Sequence, residues 1–291
     1  MRALLALACV LALFAGPCVA ADGAAADVGG AAALRSKFAA LKDKLAYNQF
    51  RRPLSLESNE GAHGARGEIY ALVDHAFAST ATLAKPADWC AVLILHLNTK
   101  YCRATLDASG AKLRVNIGTK FDQPLSESTR VDFDYHAVAV GADYLKVQLD
   151  AAQGPFGTHD YRIVLEAVPA EGGRTAVYLS YSYAYGLAGH LGLQAYLATA
   201  ARDKVGFTLV AGSGQPRLVD GVRGLVERNA MRYYLAIDAF LGALAVPREA
   251  RTEKSLRAWF ASCERYPRQL HEMELADYLS MKRLEVARQE G

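Results

Sequence analysis

The sequence predicts an α+β fold: a curved antiparallel sheet wrapped on one long C-terminal helix, with extra helices at both ends. Three observations predict it. Several runs between Lys112 and Tyr185 alternate apolar and polar residues and are joined by tight turns, as an antiparallel meander requires. Val222, Val226, Tyr233, Ile237, Phe240 and Leu244 then recur on one face of a single helix of about six turns, at 3.6 residues per turn. Amphipathic helical patterns also lie before the first strand and after Pro247.

The chain has 291 residues, enough to bury a substantial core. Residues 1–20 read as a signal peptide. Met1-Arg2 is a short positive start, Leu4 to Phe14 is an almost unbroken apolar run, and Val19, Ala20 and Ala21 are small. The run is too short for a mature membrane span. Cleavage near Ala20 would remove Cys9 and Cys18, and Pro17 before Cys18 argues against lipid attachment. The expected location is periplasmic, where disulfides are permitted.

Residues 21–50 divide into an Ala/Gly-rich leader and a helix with an apolar stripe of Leu34, Phe38, Leu41 and Leu45. Residues 51–246 form the main domain. It starts with strands over Pro53–Ser58 and Arg66–Val73, joined by the Gly61–Gly64 turn. A helix over roughly Phe77–Leu83 stops before Pro86, and Asp88 is placed to cap a second short helix. Strands follow over Lys112–Ile117, Val131–Ala139, Tyr144–Leu149, Tyr161–Val168 and Thr175–Tyr185. Leu187–Ala201 is helical in pattern, Val205–Val210 reads as a last strand, and Asp220 caps the long helix. Residues 247–291 form a helical extension whose Trp259, Phe260, Tyr266 and Leu270 must be buried against the domain.

The net charge is only +3 and the basic residues are scattered, so no nucleic-acid partner is expected. His-Glu-x-x-His spacing, Gly-x-Ser-x-Gly elbows and phosphate loops are absent from the sequence, and no metal or cofactor is expected. Asp74-His75 could act as an acid/base pair. Asp132, Asp134 and His136 share a strand face that reads better as a solvated polar edge than as a cation site. Cys90 and Cys102 flank a helix-to-strand passage and could bridge, leaving Cys263 as a free thiol.

Strand alternation puts Tyr181, Tyr183 and Tyr185 on one face, with Tyr178, Ser180 and Ser182 on the other. Asn229 and Tyr233 lie near the apolar stripe of the long helix. Arg228 and Arg232, four residues apart, share one side of it. They read either as a solvated face paired with Glu227 or Asp238, or as a clamp for a carboxylate or phosphate at a pocket mouth.

The order of elements from Arg66 to Leu244 resembles the START-like, helix-grip superfamily of lipid-transfer and polyketide-cyclase-like domains. The resemblance is carried by Arg66-Gly67-Glu68-Ile69-Tyr70-Ala71-Leu72-Val73-Asp74-His75-Ala76-Phe77, by the Pro86-Ala87-Asp88-Trp89-Cys90 step, and by Gly221–Leu244. It implies a cavity between sheet and long helix that takes a hydrophobic or amphipathic, lipid-like ligand. An enzyme of cyclase or hydrolase type using the same cavity is the alternative. An envelope scaffold with the C-terminal extension as its surface for a protein partner is a third reading, which a filled interior would favour.

Overall fold

Residues 30–199, 201–210 and 215–290 are described by the computed structural model. The expected signal peptide and most of the leader lie outside them. Two short helices open the described chain, α1 (Gly30–Ala40) and α2 (Lys42–Ala46). A hairpin follows, β1 (Leu54–Gly61) and β2 (Gly64–Val73), then α3 (Phe77–Thr80) and α4 (Pro86–Leu93). The meander comprises β3 (Thr99–Asp107), β4 (Gly110–Ile117), β5 (Thr129–Val140), β6 (Leu145–Gln153), β7 (Thr158–Pro169) and β8 (Thr175–Tyr185). Next come α5 (Leu187–Ala198), the ribbon β9 (Leu209–Val210) and β10 (Arg217–Leu218), and the long α6 (Gly221–Ala243). The extension forms α7 (Arg248–Cys263), α8 (Pro267–Leu270) and α9 (Leu275–Glu290).

Strands β1 to β8 form one antiparallel sheet in the order β1-β2-β8-β7-β6-β5-β4-β3. The meander pairs neighbour to neighbour, and the early hairpin joins its far end through Gly67↔Tyr181 and Ile69↔Leu179. This is the helix-grip arrangement: a curved antiparallel sheet held against a long helix. Alternation gives each strand two faces. Ile69, Leu113, Val147, Leu149, Ile163, Leu165 and Leu179 belong to the main core with α6. On the opposite face Tyr70, Val164, Val168, Ala176 and Tyr178 form a second core with Leu34, Phe38, Leu41 and Leu45 of α1 and α2. The amphipathic stripe read from the sequence thus covers the back of the sheet.

Two glycines allow close packing around the sheet and α6. A Cβ on Gly67 would lie 3.0 Å from the Val226 carbonyl oxygen and 3.1 Å from the Ala230 Cβ, so this is where α6 meets β2 backbone to backbone. A Cβ on Gly154 would overlap the Tyr161 ring, whose Cε2 would be 2.2 Å away. Gly154 therefore lets that ring turn inward.

The extension folds back on α6. Leu256, Trp259, Cys263, Leu270, Tyr278 and Leu279 are buried, and Phe260 and Tyr266 are partly buried against the same core. Trp259 Nε1 donates to the Arg232 carbonyl at 3.1 Å, and Tyr278 Oη donates to the Leu95 carbonyl at 2.9 Å. A fully buried charge cluster locks α9 to β3. Lys100 and Lys282 share Glu285 at 2.9 and 2.7 Å, and Lys282 also donates to the His96 and Thr99 carbonyls. Cys90 on α4 is bridged to Cys102 on β3 with 5.2 Å between α-carbons, and Cys263 is a buried free thiol.

Several local expectations are corrected. Asp88 lies inside the first turn of α4, which starts at Pro86, and makes no cap. Asp220 occupies the N-cap position of α6, but its carboxylate takes Arg217 at 2.6 Å and makes no cap hydrogen bond. The strand expected over Val205–Val210 is only Leu209–Val210, because Phe207 and Thr208 give their backbone N–H groups to the Glu227 carboxylate.

Candidate functional site

Alternation along β8 turns Tyr181, Tyr183 and Tyr185 toward α6, as the sequence predicts, and all three are buried. Tyr161 of β7 joins them, stacked 5.5 Å from Tyr183 between ring centres. Tyr233 of α6 lies 5.3 Å from Tyr181 on one side and stacks 5.3 Å from His96 on the other. Asn229, one α6 position outside the tightest contact, interacts with both His96 and Tyr181. The expected wall residues therefore do come together. They meet ring on ring, so the volume expected as a cavity is filled by the rings themselves. Tyr185 ends the row by donating to the Gly61 carbonyl at 3.2 Å.

Two donors of this interior are poorly matched among the described residues. Burial, with Arg232, Lys282 and Lys100 nearby, holds the His96 pKa well below its ordinary value, so the ring is neutral at pH 7. Its Nδ1 accepts from the Asn98 backbone N–H at 3.2 Å, which places the proton on Nε2. That Nε2 makes no hydrogen bond of good geometry, and the Tyr183 hydroxyl has no partner among the described residues. Burial raises the Tyr183 pKa and pushes the Tyr161 hydroxyl up to about 12, so both are neutral phenols.

Beside the rings stands a cluster of cations. Arg228 and Arg232 are 1% and 3% exposed, which overturns the solvated-face reading. Their expected partners are engaged elsewhere. Glu227 is fully buried and accepts from Ser58, Phe207 and Thr208. Asp238 takes Arg52 at 3.1 Å and His75 at 3.0 Å. Arg232 instead pairs with Glu272 of the extension at 2.6 Å. Glu272 also takes Lys120 at 2.6 Å and Lys204 at 3.6 Å. Burial and the neighbouring Arg232 pull Arg228 down to about 10, and it stays charged at neutral pH.

Glu272, Lys120, Lys204, Tyr161 and His96 were not among the residues singled out from the sequence. Lys120, Lys204 and Glu272 lie in loops whose sequence carries no periodic signal. Tyr161 could have been found, since it opens a strand already recognised. The Asp74-His75 pair does not form: His75 faces Asp238, 163 residues away. Asp132 and Asp134 lie beside Arg114, Arg130 and Lys112 on a solvated face. Among the described residues, no group of three or more His, Cys, Asp or Glu is placed to hold a metal ion.

Two hollows flank the interior without entering the tyrosine row. One of about 10 Å³, room for about one water, is lined by Trp259, Cys263, Glu272 and Met273 among others. An open cleft of about 360 Å³ lies between Asp74–Ser79 and the end of α6.

No family model and no curated protein matches this sequence. Among solved structures the chain is similar to Ara h 8.0201, at 10% identity and a TM-score of 0.37, over 65% of this chain and 99% of that one. It is also similar to truncated norcoclaurine synthase from Thalictrum flavum, at 13% identity and a TM-score of 0.32, over 50% of this chain and 90% of that one. That likeness concerns chain path alone, and the chemistry of the site is that of this chain's own residues.

Proposed function

We propose that the protein is an exported, periplasmic binding or transfer protein for a hydrophobic or amphipathic ligand held between the sheet and α6. The observation that carries this reading is the interior of Tyr161, Tyr181, Tyr183, Tyr233 and His96, in which the Tyr183 hydroxyl lacks a hydrogen-bond partner among the described residues and the His96 ring N–H has only a poorly aligned contact with Asn229. Leaving buried donors unmade is costly. A ligand that displaces part of the ring row and brings oxygen acceptors relieves that cost, while its apolar body gains roughly 25 cal/mol per Å² buried. The Cys90–Cys102 bridge and the apolar run from Leu4 to Phe14 support export.

Organic extraction of protein purified from its native host, followed by mass spectrometry, tests the reading, with Tyr233→Ala as the control. The expected result is a co-purifying amphipathic compound, depleted in the variant while the fold persists. The filled interior favours a second reading, a scaffold protein of the envelope acting through its C-terminal extension. Extracts without any bound compound, together with no binding of an apolar probe, would leave that one standing.

A further inference from the structure

We propose that Arg228 and Arg232, with Lys120 and Lys204 beside them, form a binding site for an oxyanion, the carboxylate or phosphate of a small ligand. Five cations are buried among the described residues: Lys100, Lys146, Arg228, Arg232 and Lys282. Four of them have a carboxylate. Lys100 and Lys282 share Glu285, Lys146 faces Glu166 at 3.5 Å, and Arg232 has Glu272. Arg228 is the exception. It is 1% exposed, forms no ion pair or hydrogen bond among the described residues, and its Nη1 is unpartnered.

The surroundings of Arg228 add to the imbalance. Arg232 is four residues along the same helix, and the Nε of its guanidinium is also unpartnered. Lys120 is close enough to feel both arginines, and Lys204 feels Lys120 and Arg232. Among the described residues, Glu272 is the single carboxylate paired with this group, serving Arg232, Lys120 and Lys204 at once. Four cations face one anion in a region from which water is largely excluded. An isolated buried charge of this kind is strongly disfavoured unless something neutralises it.

The donor geometry selects the neutraliser. A guanidinium presents a planar fork that matches the two oxygens of a carboxylate or phosphate. The unpartnered Tyr183 hydroxyl lies within electrostatic reach of Arg228, as does Tyr196, and supplies a further donor. The side chains of Lys120 and Lys204 are 14% and 22% exposed, so the cluster reaches solvent at the Glu272 end. An apolar tail would displace part of the adjoining tyrosine row. For an amphipathic ligand the inference rests on the reading above, whereas for a free anion it does not.

Calorimetric titration of the full oxidised protein with inorganic phosphate, decanoate and uncharged decanol tests the site. Arg228→Gln and Arg228→Lys are the variants, the second keeping the charge without the fork. Decanoate binding that is at least tenfold tighter than decanol, weakened tenfold or more in both variants and by added salt, is the expected result for a head-group site. Phosphate binding lost in both variants, without binding of either ten-carbon probe, identifies a free-anion site and overturns the amphipathic reading alone. Equal binding of decanoate and decanol, unchanged in the variants, overturns the oxyanion site and leaves that reading intact. Binding of none of the three overturns both. Melting gives an independent readout: a ligand-binding arginine predicts that Arg228→Gln melts no lower than wild type, because an uncompensated buried charge is removed. Marked destabilisation of Arg228→Gln that Arg228→Lys restores, with ligand binding unaffected in the lysine variant, would make Arg228 structural and overturn the site.

Discussion

Glu272 and Arg232 are joined at 2.6 Å across the seam between the C-terminal extension and the long helix. The backbone of the same arginine accepts from Trp259, so extension and helix are tied at both ends of one residue. Removing either partner leaves charge stranded in a poorly solvated place.

Glu272→Ala is expected to cost about 3–5 kcal/mol, the usual range for breaking a buried pair. The loss depends on pH. Burial pushes the Glu272 carboxyl up, but Arg232 and Lys120 outweigh it and hold the group below its ordinary value of 4.5. A depressed acid stabilises the fold above its unfolded pKa and loses that contribution as pH falls through the folded value. Denaturant melts between pH 7 and pH 3 should show a constant wild-type advantage over Glu272→Gln down to about pH 4.5, shrinking below. An advantage that persists unchanged at pH 3 contradicts the pairing.

Glu285→Ala should be as damaging, about 3–5 kcal/mol, because it strands Lys100 and Lys282, both fully buried. Replacing all three at once with Met and Leu is expected to be close to neutral or stabilising, since the desolvation cost disappears along with the attraction. Equilibrium unfolding of the single and triple variants separates the two effects. A triple variant as unstable as the single one would show that the hydrogen bonds to the carbonyls, not the charges, hold α9.

Gly67→Ala would gain about 0.5–1 kcal/mol from lost unfolded-state freedom if the site were open. The Val226 carbonyl at 3.0 Å and the Ala230 Cβ at 3.1 Å reverse the sign. Overpacking of this kind costs about 1–3 kcal/mol. Thermal melts should therefore fall for Gly67→Ala and further for Gly67→Val. A rise in either would mean that α6 and β2 are not in contact there.

Thiol titration of the chain from Ala21 onward, denatured without reductant, should find a single reactive group, Cys263. In the native protein that thiol should resist alkylation, since it is 3% exposed and burial pushes it up to about 12. Replacing Cys90 and Cys102 together by Ser should cost about 3 kcal/mol, as expected for a loop of this size.

The sheet and α6 were legible because their signals are periodic and local. Tyr181, Tyr183 and Tyr185 could be put on one face by counting in twos, and Val222 to Leu244 on one stripe by counting in turns. Arg228 and Arg232 were recognised as neighbours for the same reason. Their burial was not legible, because it depends on the extension closing over α6. Glu272 reaches Arg232 across 40 residues and Glu285 reaches Lys100 across 185. Such partners carry no periodic trace. The caps failed differently: Asp220 has the right residue type in the right place, yet Arg217 outcompetes the helix N-terminus for its carboxylate.

The joining of the early hairpin to β8 governs the order in which the chain can fold. Strands β3 to β8 each pair with the strand made just before or after, so they can zip up as they appear. Strands β1 and β2 pair with each other as a hairpin, but the other edge of β2 must wait for β8. Glu68 waits for the Tyr178 hydroxyl 110 residues downstream, and Gly67 waits for α6. Closing so long a loop is entropically slow and must precede the contacts that reward it. Until then β2 presents an open edge on which another chain can add. A chain emerging from its N-terminus therefore makes β2 early and covers its second edge only once β8 has been made.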